Sequence, residues 1–231
     1  NNEDKMSFPH LSLFEEVMLL ALQDKKGTIH STVPYAFPLA GALVAELIFA
    51  KRIDIENSKK KRIQFVDATP VGDPLLDECL DKIKQAKRGK NVSTWVTRFS
   101  HIRQLKHRIA WQLVQKGIVR ADEDRVLFFK RRIYPEVNPE LERKIHQHLR
   151  EAIVGDSTNI DPRTIVLIAL AFQSGMLKFV LEKKEIKQYK KRIEHIITGD
   201  VIGKATKEAI AAVQAPAVAA AVTPVIVSSS S

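Results

Sequence analysis

Arg103, Lys106 and His107 are the residues of this sequence whose types and spacing best suit ligand chemistry. Steps of three and four place them on one face if a helix runs through them. A phosphate monoester needs several donors and compensating positive charge. Arginine offers two parallel bonds and lysine a point charge. The trio therefore reads as a phosphate clamp or, more plainly, as the solvated basic face of an amphipathic helix. A second basic group, Lys51, Arg52, Lys59, Lys60, Lys61 and Arg62, brackets a polar turn. Each such charge gains about 1 kcal/mol beside an anionic leaflet, decaying within a Debye length. The plain alternative is a solubilising hairpin tip. Lys130, Arg131 and Arg132 form a third cluster with the same two readings.

Other polar groups point to structure rather than reaction. Asp73, Asp77 and Asp81 recur every fourth residue, which would suit a carboxylate ladder for a metal. Negative charge in the first half of a helix is the preferred reading, because it complements the macrodipole. His146 and His148 are two apart, point to different sides, and make a poor metal pair. Cys79 lies on an apolar stripe and reads as a core thiol. The sequence contains no HExxH, Walker loop or GxSxG segment. No nucleophile is paired with a base, so the chain reads as a binding protein, not an enzyme, with no cofactor and no metal.

The elements that must position these residues are mostly helical. Leu11 to Gln23 predicts a first helix, with Ser12 and Glu15 spaced as a capping box. Pro38 opens a second that is apolar nearly all round. Residues 52–56 and 62–66 alternate as two short strands about the turn 57–61. Asp73 caps the next helix, with Pro74 at its first position and Leu76, Cys79, Leu80 and Ile83 on its buried face. Val92 to Lys116 reads as one long amphipathic helix, with a stripe of Trp95, Phe99, Ile102, Leu105, Ile109 and Leu113 that ends at Gly117. Residues 118–120 and 125–130 read as a hairpin turning at 121–124. Further helices are expected from Asn138 to Val154, from Asp161 to Gly175, and from Met176 to Ile197.

Composition bounds the function. The 231 residues carry a formal net charge of +10, with 45% hydrophobic and 28% charged. That suits one sizeable core and a surface attractive to polyanions: nucleic acid, acidic protein or anionic membrane. The single cysteine excludes an internal disulfide and favours a reducing, cytoplasmic compartment. Asn1 to Lys5 lacks the apolar core of a signal peptide, and nothing before residue 200 is apolar for long enough to span a bilayer. Membrane contact is expected to be peripheral. The chain divides into a tail (1–10), a single domain (11–213) and a low-complexity, disordered tail (214–231) rich in Ala, Val and Ser.

Several segments, in order, resemble the Golgi phosphoprotein 3 (GPP34) family. The most specific is Asp67-Ala-Thr-Pro-Val-Gly-Asp-Pro-Leu-Leu-Asp-Glu. With it go the opening helix from Leu11, Leu43 to Ile53 with its Glu-Leu and basic turn, Arg103 to Val119, and Leu167-Ile-Ala-Leu-Ala. The resemblance covers roughly residues 10 to 200. It implies a compact, mainly α fold with short β-hairpins and a basic pocket for phosphatidylinositol 4-phosphate. In eukaryotic members it implies adaptor work at the cytosolic face of the Golgi, linking the membrane to glycosyltransferase tails and coat proteins. The family's arginine pair on the long helix falls on Arg103 and Lys106. Its tryptophan and other arginine fall near Ser31 and Ala40, so both side chains are lost; His30, Tyr35 and Phe37 are the candidates to replace them. The chain also lacks the hairpin inserted between the positions of Trp95 and Ile102, which makes it more like bacterial members. The partners expected are an anionic phospholipid membrane and, left open, protein partners and a homo-oligomer. The alternative is a nucleic-acid-binding or regulatory protein using the same basic surface, suggested by the wing-like order of helix and hairpin, although nucleic acid is the less favoured partner.

Overall fold

The most apolar stretch of the sequence becomes the centre of the molecule. In the computed structural model, which describes residues 10–22, 26–29, 34–126, 129–199 and 203–214, α2 (Ala36–Phe49) is buried from Pro38 to Ile48. A helix apolar on every side has to be covered on every side. It packs against α1 (Leu13–Ala21), α3 (Pro74–Lys84), α4 (Val92–Ser100), α7 (Pro162–Gln173) and α10 (Lys204–Val213). Each fully covered leucine on it, such as Leu39, Leu43 or Leu47, stabilises the fold by about 1.5–3 kcal/mol.

Two buried carboxylates fasten this arrangement. Glu46 on α2 accepts the backbone N–H of Leu13 at 2.5 Å and both guanidinium arms of Arg163, at 2.5 and 3.0 Å. One side chain thus ties α2 to the start of α1 and to α7. Glu15 reaches back to the Ser12 N–H at 2.8 Å, as the capping spacing predicts, and takes the Lys116 ammonium at 2.6 Å.

The fold class is as the sequence indicates: mainly helical, with two small antiparallel hairpins among the described residues. β1 (Ile53–Ile55) pairs with β2 (Ile63–Phe65), Asp54 opposite Gln64. β3 (Asp122–Val126) pairs with β4 (Phe129–Ile133). Asp73 caps α3 through the N–H groups of Leu75 and Leu76, at 2.8 and 2.9 Å. Asp77 accepts from Val71 at 2.7 Å and Gly72 at 3.3 Å. These two carboxylates therefore serve backbone turns. Cys79 is fully buried, and burial pushes its thiol pKa up.

Three expectations need correction. The long helix 92–116 is two helices, α4 and α5 (Leu105–Gln115), joined by the turn His101–Gln104. The Ser100 hydroxyl bonds the Thr97 carbonyl at 2.8 Å, and His101 Nδ1 lies 2.7 Å from the same oxygen. Such bonds compete with the helical ladder. Gln104 then turns left-handed, at φ +57°. The second hairpin turns after Val126, not at 121–124. Its acidic strand is held by a basic one, with Asp124 opposite Arg131 and Glu123 opposite Arg132. The stretch Met176–Ile197 is a 3₁₀ turn (Met176–Phe179) followed by α8 (Lys183–Gln188) and α9 (Lys190–Thr198). The last helix, α10, has no counterpart in the sequence reading. Of the two expected tails, residues 1–9 and 215–231 lie outside the described residues.

Candidate functional site

α5 begins immediately after the left-handed Gln104, and its first turn carries Lys106 and His107. Opposite it stands β4 with Lys130, Arg131 and Arg132, followed just past the strand by Tyr134. Between them opens a cavity of about 540 Å³, which these residues line together with Gly27, Thr28 and Tyr35. No carboxylate is among its described lining residues. Gly27 makes the closure possible. At φ +57° it accepts the Tyr134 N–H at 2.7 Å, and a Cβ there would stand only 2.1 Å from the Pro135 nitrogen. Any side chain would push the segment 26–29 off β4.

Within the cavity His107 Nδ1 lies 2.9 Å from the Tyr134 hydroxyl, and the Lys106 ammonium sits 5.9 Å from the centre of the Tyr35 ring. Burial, and then the charges of Lys106 and Arg132, hold the His107 imidazole below its usual pKa. Arg131 is paired with Asp124 at 2.7 Å and Lys130 with Glu123 at 3.4 Å, both across the hairpin. Lys106 and Arg132 have no carboxylate partner among the described residues. Such a wall, with donors and positive charge but no acid, suits an anion bearing phosphate oxygens. Next to it, and sharing Gln104, His107, Arg132 and Tyr134, is a groove flanked by Trp111, which is 53% exposed.

Lys106 and His107 are thus brought together as the sequence predicts, but Arg103 is not with them. It stands in the turn before α5 and lines a separate cavity on the other side. The two cations expected on one helical face are parted by the break at 101–104. The basic cluster at 51–62 divides as well. Arg52 is committed to the fold, pairing with Asp67 at 3.0 Å and bonding the carbonyls of Thr69 and Ala50. Lys51, Lys59, Lys60, Lys61 and Arg62 are exposed. Sequence reasoning noticed Lys130–Arg132 without joining them to Lys106, because only the folded hairpin does so.

A family model described as Golgi phosphoprotein 3 (GPP34) matches residues 13–213. The chain belongs to the GPP34 family. Among relatives it is similar to Vacuolar protein sorting-associated protein 74 of Eremothecium gossypii, at 27% identity over 219 aligned positions. That match takes in 80% of this chain and 64% of the relative, so the chain spans less than two thirds of the relative's length. Set against the GPP34 resemblance, the position near Ala40 is fully buried within α2 and has no access to the cavity. His30 and Ser31 lie outside the described residues. Phe37 is partly buried against the core, whereas Tyr35 does line the cavity beside Lys106. No hairpin interrupts residues 95–102, which run from α4 into the turn. Among the described residues, no helix is long and apolar enough to cross a membrane.

Proposed function

We propose that this GPP34 chain is a peripheral membrane-binding module that takes the headgroup of a phosphoinositide, of the phosphatidylinositol 4-phosphate class, into the cavity between α5 and β4. The observation that carries this reading is the acid-free cavity wall in which Lys106, His107 and Arg132 converge. Tyr35 takes the place of the family's lost tryptophan, and Arg132 supplies a guanidinium that the position of Ala40 cannot. Exposed Lys59, Lys60, Lys61 and Arg62 add charge that favours an anionic leaflet. The family and the sorting protein it resembles support a role as a trafficking adaptor at the cytosolic face of the Golgi, with other proteins as cargo or coat partners.

Co-sedimentation with vesicles tests the lipid step. Vesicles carrying phosphatidylinositol 4-phosphate are expected to pull the chain down more strongly than phosphatidylserine vesicles of equal surface charge. Lys106→Ala with Arg132→Ala should weaken that preference several-fold. Equal recovery on both vesicle types, unchanged by the double variant, would remove the cavity from the function. Steeply salt-dependent binding to duplex DNA without lipid preference would instead favour the nucleic-acid reading.

A further inference from the structure

The turn His101–Gln104 has cations on both flanks. On the side away from Lys106 lies a second cavity, of about 670 Å³, bounded by the end of α3, the loop 85–91 and α4. Lys82, Lys87, Lys90, Arg98 and Arg103 line it. Its one carboxylate among the described lining residues, Glu78, is already held by Arg108 at 2.6 Å and by Lys82 at 3.4 Å. Lys87, Lys90 and Arg103 have no acidic partner among the described residues. Trp95, 1% exposed, also belongs to the lining, and its indole N–H has no acceptor among the described residues. The Arg98 guanidinium lies over that ring, 5.1 Å from its centre.

Like charges gathered in one concave wall repel each other, and the low-dielectric protein behind them concentrates their field. The internal ion pairs leave that field uncompensated. We propose that this second cavity binds a small polyanion carrying several phosphates, independently of the first cavity. The lining is rich in donors and its one acid is spent, so the ligand must act chiefly as acceptor. Its cations come from three stretches of chain, which suits phosphates at more than one position on the ligand. The Trp95 ring is buried and the Arg98 guanidinium lies over it, which leaves no platform for a stacked base. The same chemistry is offered by a free inositol polyphosphate and by the headgroup of a multiply phosphorylated lipid.

The test is calorimetric titration of the full chain with inositol hexakisphosphate at physiological salt, beside sedimentation on vesicles containing phosphatidylinositol 4,5-bisphosphate. Lys87→Ala, Lys90→Ala and Arg103→Ala together should cost about tenfold or more in affinity in at least one arm, with thermal stability retained. Loss in the titration identifies a free ligand; loss on vesicles alone identifies a lipid. Lys106→Ala with Arg132→Ala should leave the titration within about twofold, which separates this site from the proposed headgroup cavity. A triple Lys59→Ala, Lys60→Ala, Lys61→Ala variant controls for bulk charge. An equal loss in that control, no binding in either arm, or no effect of the cavity triple would overturn the proposal.

Discussion

His107 lines the cavity between α5 and β4, where a phosphate bound as proposed would change the local charge. Its imidazole lies between Lys106 and Arg132, and burial and those cations together hold it below the ordinary value. It is therefore neutral at neutral pH. A bound anion reverses the local field and raises the imidazole pKa. Binding then takes up a proton, and by linkage affinity rises as pH falls through the histidine range. Vesicle affinity of the native chain should increase more than that of His107→Gln between about pH 7.5 and about pH 5.5. The variant shares the titration of the lipid phosphate, so only the difference between the two curves reports on His107. Parallel curves would place His107 outside the site.

At the scale of elements, the junction of α1, α2 and α7 has its own pH signature. Partly buried Glu16 lines the space between α1, α6 (Glu140–Val154) and α7, with Asp161, Arg163, Lys144 and His148. Its pKa is raised to about 7; burial is the main cause, Arg163 opposes it, and Glu46, Asp161 and Glu15 add to it. The folded state thus holds this proton more tightly than the unfolded chain does. Its contribution to stability is full below the unfolded value of 4.5 and is lost as pH rises to about 7. Glu16→Gln should flatten that part of the Tm profile between pH 5 and pH 7; an unchanged slope would count against this assignment.

Elements also differ in how much of them the sequence discloses. Caps are local, so Ser12 with Glu15, Asp73 with Pro74, and Asp161 with Pro162 all mark helix starts correctly. The break at 101–104 is hidden because Phe99, Ile102, Leu105 and Ile109 keep three- and four-residue spacing straight across it. Residues 121–124 have the composition of a turn; 122–124 become strand, with Lys130 and Arg131 across the hairpin neutralising Glu123 and Asp124. The site follows the same division. Lys106 and His107 are legible from helix spacing, whereas Arg132, Tyr35 and Gly27 join them only through tertiary closure.

Across the whole molecule, several acids are committed to internal structure. Glu15, Glu46, Asp73, Asp77 and Glu78 are engaged in caps and internal pairs. Of the excess of ten positive charges, part lines the two cavities that meet at the turn His101–Gln104, and Lys59, Lys60, Lys61 and Arg62 form a separate exposed group. Such a surface would draw polyanions from a distance, and the two proposed sites would divide them by shape.

The chain has only two tryptophans, and their surroundings are opposite: Trp95 is sealed in the core and Trp111 is largely in water beside the cavity between α5 and β4. The intrinsic fluorescence is therefore a sum of a blue, fixed component and a red, responsive one. Indole rings favour the interface between water and hydrocarbon. Docking by the cavity face should shift only the red component toward shorter wavelength, and Trp111→Phe should abolish the shift. If the chain docks as proposed, it carries its own optical gauge of which side meets the bilayer, with no label attached.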